Sequence, residues 1–249
     1  DETGQADSQH NANFLTFHRF RNFRYERAAL EQDIAVSRWS KNAKSAFALT
    51  FDDGFKAHYQ HAFPVLQKYN LQGTFFVNSG NLVKRGETQK ERYGFWEDFK
   101  EMSEAGHEIA SHSLSHQNLT SVDYDVLENE LKKDKENIES FIGKPCLTHA
   151  YPYCLHNETV DQMAAPLFVA ARQCGSVFNS IPTEEQKWFS VNSELLTWTY
   201  PRSLENEKQS FEVLKGKIDQ LNGNFGVVCI HETLPFDLLN TSSTYEIAT

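Results

Sequence analysis

Ala46-Phe-Ala-Leu-Thr50-Phe-Asp52-Asp53-Gly54 is the stretch on which the reading of this chain turns. Six residues form a short, nearly continuous apolar run, and Asp-Asp-Gly ends it. The run predicts a buried strand, and the ending a polar turn at its C-terminal tip. Downstream, Phe63 and Leu66 sit at helical spacing within Tyr59–Tyr69, and Gly73-Thr-Phe-Phe-Val77 repeats the buried-strand pattern. Trp96–Ala105 reads as a helix stopped by Gly106, and His107–Ser111 as a third strand. Tyr124–Phe141 is a long amphipathic helix closed by Gly143 and Pro145, and a further strand leads into Tyr151-Pro-Tyr153. Val160–Cys174 is expected to be helical, Ser176–Phe178 a strand and Phe211–Leu221 a helix. Phe225-Gly-Val-Val-Cys-Ile230 is the last buried strand and ends at His231. Strands alternating with helices predict parallel βα units, an α/β fold. In α/β barrels the C-terminal strand ends converge on one face, where sites are built. Polar clusters follow several of these strands.

Upstream of this region the pattern is weaker. Residues 1 to about 13 are polar and without periodicity, and are expected to be mobile. Residues 14–43 mix aromatics with arginines (Phe14, Phe17, Phe20, Phe23, Tyr25, Trp39). The chain is therefore divided into an N-terminal appendage, 1–43, packed on a main domain, 44–249.

A net charge of −10 argues against a phosphate-backbone partner, and no basic run marks a nucleic-acid groove or a membrane surface. No apolar stretch approaches the length of a membrane span. The chain opens on Asp1-Glu-Thr-Gly-Gln, without Met or a signal sequence, and is read as a processed or trimmed product. Cys146, Cys154, Cys174 and Cys229 contain no Cys-x-x-Cys pair, which argues against a zinc ribbon or a thioredoxin-type site. They permit up to two disulfides, and spacing does not choose between those and buried thiols. Asn118-Leu-Thr, Asn157-Glu-Thr and Asn240-Thr-Ser fit the glycosylation pattern, weak support for secretion.

Four clusters could carry chemistry. In Asp52-Asp53, adjacent carboxylates at a strand end can point apart, one to a metal and the other free as a base; the bland alternative is a surface turn. In Ser111-His112-Ser-Leu-Ser-His116, histidines four apart can face one way on a helical turn and chelate one ion. Two His nitrogens and one Asp oxygen leave positions open for water and substrate, as catalytic divalent-metal sites require. His231 ends an apolar strand and is either a satisfied core residue or a general acid at the barrel mouth. His149-Ala-Tyr-Pro-Tyr153 is either a turn made rigid by Pro152 or a wall whose backbone N–H faces a developing oxyanion. His58 and His61 could imitate a metal pair, but no carboxylate clearly converges on them. His107, at the start of a strand, reads as structural.

In order, these motifs resemble the NodB-homology polysaccharide deacetylases, carbohydrate esterase family four, over roughly residues 43–232. The resemblance implies a distorted (β/α) barrel with about seven parallel strands. It also implies that Asp53, His112 and His116 hold a divalent ion (Zn²⁺, with Co²⁺ or Ni²⁺ as alternatives), that Asp52 is the base and that His231 is the acid. The Tyr153 N–H would face the oxyanion. Three departures stand out. The family usually has an Arg before Pro-Tyr in its third motif, where this chain has Ala150-Tyr151; Tyr200-Pro-Arg202, after Trp198, suggests Arg202 as the substitute, with Trp198 beside the substrate. Cys154 stands where a similar bacterial subgroup has Gly, and the usual Asp-x-x-Asp-Trp motif is absent. The implied activity is removal of acetyl groups from an N-acetylated polysaccharide or oligosaccharide (chitin, poly-N-acetylglucosamine or peptidoglycan) outside the cytoplasm: secreted, periplasmic or on the cell surface. The alternatives are an O-acetyl esterase acting on xylan, a cyclic-amide hydrolase and a carbohydrate-binding pseudoenzyme. No nucleic acid and no membrane span are expected, and oligomeric state is left open.

Overall fold

Strand β2 (Ser45–Phe51) is buried along almost its whole length, as its apolar run requires, and it closes the fold on both sides. The computed structural model describes residues 12–14, 45–88, 92–175, 178–179, 189–195, 204–221, 225–231 and 233. Along one edge β2 pairs in parallel with β3 (Gly73–Val77), from Leu49↔Gly73 to Phe51↔Phe75. Along the other it pairs in parallel with β9 (Phe225–Ile230), from Ala46↔Phe225 to Phe51↔Ile230. Between β3 and β9 the sheet continues through β4 (Glu108–Ser111), β5 (Thr148–Ala150), β6 (Ala170–Cys174) and β8 (Val191–Leu195), all in parallel. These seven strands form the ring expected of a distorted (β/α) barrel. The distortion is greatest between β4 and β5, which share only the pair Ser111↔His149. Strand β7 (Phe178–Asn179) runs antiparallel to β9.

Strand β1 (Ala12–Phe14) pairs in parallel with the first half of β2, Ala12↔Ser45 to Phe14↔Phe47, so residues 12 and 13 belong to the sheet and not to a mobile tail. The other residues of the expected appendage lie outside the described residues.

The helices pack on the outside. A π-helical turn (His58–Ala62) leads into α1 (Phe63–Lys68); α2 (Trp96–Glu104) and α3 (Tyr124–Ile142) follow. Leu127, Leu131, Ile138 and Ile142 recur at intervals of three to four or their multiples, which puts them on the buried face of α3. Gly143 ends this helix with φ 76°, and its N–H bonds back to Glu139. The outer core includes Phe75, stacked on Phe51 with ring centroids 4.7 Å apart. The remaining helices are α4 (Glu158–Ala164) and α5 (Leu204–Asp219). Asn118 and Asn157, both in glycosylation-type triplets, act as caps: their side chains accept from the backbone N–H of Thr120 and Val160.

A second expectation is overturned. Val160–Cys174 is not one helix: α4 ends at Ala164, Pro166 follows the cap at Ala165, and Ala170–Cys174 is the barrel strand β6. The alanines there have high local helix propensity, but the gap between β5 and β8 requires a strand, and tertiary context overrides propensity. Pro166, just past a helix end, was the available signal.

The barrel interior is partly polar. Thr74 and Thr148 donate to the buried Glu108 at 2.8 and 2.7 Å. Two residues further along β3 and β6 from Thr74 and Ala170, Phe76 and Arg172 meet, the guanidinium lying over the ring at 4.7 Å.

Because Phe75 is fully buried between the sheet and the outer helices, Phe75→Ala should destabilise the protein by about 3–5 kcal/mol, read from denaturant unfolding.

Candidate active site

The site is built where β2, β4, β5, β6 and β9 end. Asp52 follows β2 directly and is held there by its own N–H, which donates to the carbonyl of Ile230 at 2.9 Å. Asp53 and Gly54 then turn the chain with φ 76° and 72°. Asp tolerates this left-handed region better than most residues, and Gly meets no Cβ penalty in it. The turn sends the two carboxylates to different partners. Asp52 is 3% exposed, and its Oδ1 is paired with the guanidinium of Arg172, itself 1% exposed. Burial alone would push the Asp52 carboxyl up. Arg172, with His112 and His231 adding to it, outweighs that and holds the group well below the usual carboxylate range.

Asp53 turns to the histidines. Its Oδ1 lies 3.5 Å from His112 Nε2 and 3.3 Å from His116 Nε2. His112 is fixed from behind by Nδ1–H, which donates to the carbonyl of Ala150 at 2.7 Å. That bond leaves Nε2 bare toward Asp53, the arrangement by which a backbone acceptor orients a metal-binding imidazole. Burial disfavours the charged form of His112, yet the carboxylates of Asp52 and Asp53 raise its pKa.

The two histidines do not converge on a helical turn as the spacing predicts. Residues 112–116 form a loop in which Ser113 and His116 adopt φ 65° and 62°. Positive φ in such residues costs of order 1–3 kcal/mol each and persists only where the surroundings over-determine it. Here Glu130 of α3, 2% exposed, does so: its Oε2 accepts from Ser115 N–H at 2.9 Å, its Oε1 from the Ser115 hydroxyl at 2.6 Å, and its carbonyl from Leu114 N–H. Asn78 adds bonds to the carbonyls of His112 and Ser113.

Asp53, His112 and His116 each present a donor atom within 4.8 Å of the other two. Asp53 Oδ1 and His112 Nε2 are buried without a hydrogen-bond partner. Orphaned buried acceptors are costly, and two aimed at one point fit a divalent cation.

The third motif supplies the opposite wall. Tyr153 has φ 55° and ψ 13°, is half exposed, and its ring meets that of His116 edge-on at 4.6 Å. Cys154 also has positive φ, 60°, a conformation that favours Gly, and it is disulfide-bonded to Cys174 at the end of β6. Cys146 and Cys229 are buried free thiols. His231 follows β9, half buried, and its carbonyl accepts from Nε2–H of the fully buried His58 at 2.5 Å. Burial lowers the His58 pKa to about 4, so it holds His231 as a neutral donor. His107 accepts the Gly73 N–H at 3.0 Å, in keeping with a structural part.

Arg172, the partner of Asp52, does not stand out in the sequence, because its segment locally reads as helix. Arg202 and Trp198 lie outside the described residues; among the described residues the guanidinium on Asp52 is that of Arg172. The expected outcome for the donor set is that Asp53→Ala, His112→Ala or His116→Ala removes a bound divalent ion that the parent chain retains, measured by equilibrium dialysis with elemental analysis.

Comparison with known proteins agrees with this geometry. A family model described as polysaccharide deacetylase matches residues 40–170. The chain is 36% identical over 97 residues to the peptidoglycan-N-acetylmuramic acid deacetylase PdaA of Bacillus subtilis, covering 39% of this chain and 33% of that protein. It is 28% identical over 113 residues to a chitooligosaccharide deacetylase of Rhizobium leguminosarum bv. trifolii, covering 45% and 48%. It spans less than half the length of the curated relatives it matches. Among solved structures, the Streptococcus pyogenes deacetylase PplD superposes with a TM-score of 0.59 at 23% identity, over 80% of this chain and 79% of that one, which speaks for a shared fold. With its barrel, its strand-end motifs and a family match over more than half its length, the chain belongs to the polysaccharide deacetylase (NodB, carbohydrate esterase family four) family.

Proposed function

We propose that this protein hydrolyses acetyl groups from an N-acetylated polysaccharide of the chitin, poly-N-acetylglucosamine or peptidoglycan type, releasing acetate. The observation that carries the reading is the division of labour within Asp52-Asp53. One carboxylate faces two histidines, and the other, 3.8 Å from His112 at its Oδ2, is held ionised by a buried guanidinium.

A divalent ion bound by Asp53, His112 and His116 would polarise the acetyl carbonyl and make a neighbouring water more acidic. Asp52, kept ionised by Arg172, takes the proton of the attacking water. The Tyr153 N–H donates to the oxygen on which negative charge develops. His231 gives its proton to the amide nitrogen, which otherwise leaves poorly. His58 keeps His231 in place through its backbone, so the imidazole remains free to act. The exposed ring of Tyr153 offers a surface beside the scissile group for a sugar ring. The disulfide Cys154–Cys174 supports a place in an oxidising compartment, so the proposed location is outside the cytoplasm: secreted, periplasmic or cell-surface.

Acetate release should be measured side by side on chitin oligomers, peptidoglycan, poly-N-acetylglucosamine and acetylxylan. Release from an N-acetylated polymer is expected. Release from acetylxylan alone would make the protein an O-acetyl esterase, and binding with no acetate released from any of them a carbohydrate-binding protein. Asp52→Asn should keep the ion and lose about 10²–10⁴-fold in turnover.

Arg172→Gln should move the acidic limb of the pH–rate profile upward. With the guanidinium gone, burial raises the Asp52 pKa, and a base must be ionised to act. If Arg172 alone braces Asp52, Arg202→Ala leaves that limb where it is; a matching upward shift in Arg202→Ala would assign the brace to both arginines.

A further inference from the structure

Arg172 contacts only one oxygen of Asp52. Toward the other, Oδ2, Cys229 presents its thiol at 3.3 Å, and the same sulfur lies 4.0 Å from His231 Nδ1. Asp52, Cys229 and His231 thus each bring one donor atom within 4.8 Å of the other two, a second such triad next to the Asp53–His112–His116 triad. Nothing in the proposed hydrolysis uses the sulfur. We propose that Asp52, Cys229 and His231 form a second cation site, for thiophilic divalent ions such as Zn²⁺, Cd²⁺ and Co²⁺, and that filling it inhibits the protein. The inference rests on the reading of Asp52 as base, His231 as acid and the first triad as the activating site.

The spacing suits a tetrahedral ion. Bonds of about 2.3 Å to sulfur and 2.0–2.2 Å to nitrogen and oxygen imply ligand–ligand edges of roughly 3.3–3.6 Å. The sulfur–oxygen separation already fits. The sulfur–nitrogen separation must close by about half an ångström. His231 sits at the end of β9 and is only half buried, so its ring has room to make that adjustment. The donor chemistry separates the two sites: the first offers nitrogen and oxygen alone, and the second adds a thiolate, which favours softer ions.

The charges explain why the second site fills second. The ion forms its bond to sulfur only as Cys229, 1% exposed, releases its proton to solvent. Arg172, on Oδ1 of the same carboxylate, adds repulsion. Neither effect acts as directly on the first triad. Once bound, the second ion occupies the lone pair of Asp52 that would accept the water proton and the imidazole that would deliver one to the leaving nitrogen. Both functions stop together, so an excess of the activating metal becomes an inhibitor.

Cobalt titration of the full chain tests this, with absorption and acetate release followed in parallel. The first equivalent should bind without a sulfur-to-cobalt charge-transfer band and support acetate release. Further cobalt should bring in that band while acetate release falls by about 10²-fold or more, since the acid and base are lost together. In Cys229→Ser the band should vanish, and excess cobalt should no longer depress that variant's own single-ion rate; Cys146→Ser, which alters the other free thiol, should keep both effects. Absence of the band at every ratio, a band that survives Cys229→Ser, or a band without loss of acetate release would each overturn the second site. A sulfur band that grows with the first addition, with no sulfur-free equivalent before it, would leave the second site standing and overturn the reading of the first triad.

Discussion

A carboxylate and a guanidinium buried together, Asp52 and Arg172, set the terms for everything at the mouth of this barrel. Neither could remain charged alone in that interior, and removing one partner of such a pair typically costs about 3–5 kcal/mol. The pair joins the end of β2 to β6, on opposite sides of the ring, across a space that Phe76 and Ser193 help to fill. It also fixes which way Asp52 points. With Asp52 committed to the interior, the left-handed turn at Asp53 and Gly54 delivers the second carboxylate to the histidines. Two adjacent residues of one type thereby acquire different partners.

The same economy governs the loops. Asp53, His116 and Tyr153 all have positive φ, and each faces the same small volume. Each is held by a rigid neighbour: the ladder between β2 and β9 for the aspartate turn, Glu130 of α3 for the histidine loop, and the Cys154–Cys174 disulfide beside Tyr153. Strained backbone grouped around one point, and anchored from outside it, is characteristic of a site preorganised for chemistry. Buried histidines around it take supporting parts. His58 holds the backbone of His231, and His149 bonds to Ser111 at the end of β4.

Most of this architecture could be read from residues alone. β2, β3 and β9 are buried on both faces and show up as apolar runs, β4 is buried although half polar (Glu-Ile-Ala-Ser), and Asp or His follows β2, β4 and β9 directly. β6 and β8 could not be read in that way. β6 reads Ala-Ala-Arg-Gln-Cys, which locally favours helix, and its arginine is buried only because Asp52 waits across the barrel. β8 reads Val-Asn-Ser-Glu-Leu, and its Ser193 serves Arg172 and the carbonyl of Gln173. Polarity in these strands comes from the polar barrel interior, a tertiary fact that periodicity does not carry. For the same reason Arg172, two residues before Cys174, does not stand out in the sequence as a partner for Asp52, while Arg202 lies outside the described residues. For the histidine pair, spacing of four suggests a helical turn, whereas a loop with two left-handed residues brings the rings together.

The central claim is that Asp53, His112 and His116 are one metal site and Asp52 stands beside it uncommitted to the ion. Anomalous diffraction from zinc-loaded crystals, grown with ion supplied at one equivalent, addresses it directly. A peak is expected at about 2.0–2.2 Å from Asp53 Oδ1, His112 Nε2 and His116 Nε2, with Arg172 still on Asp52. A peak bound through Asp52 instead of Asp53, or one away from both histidines, would contradict it.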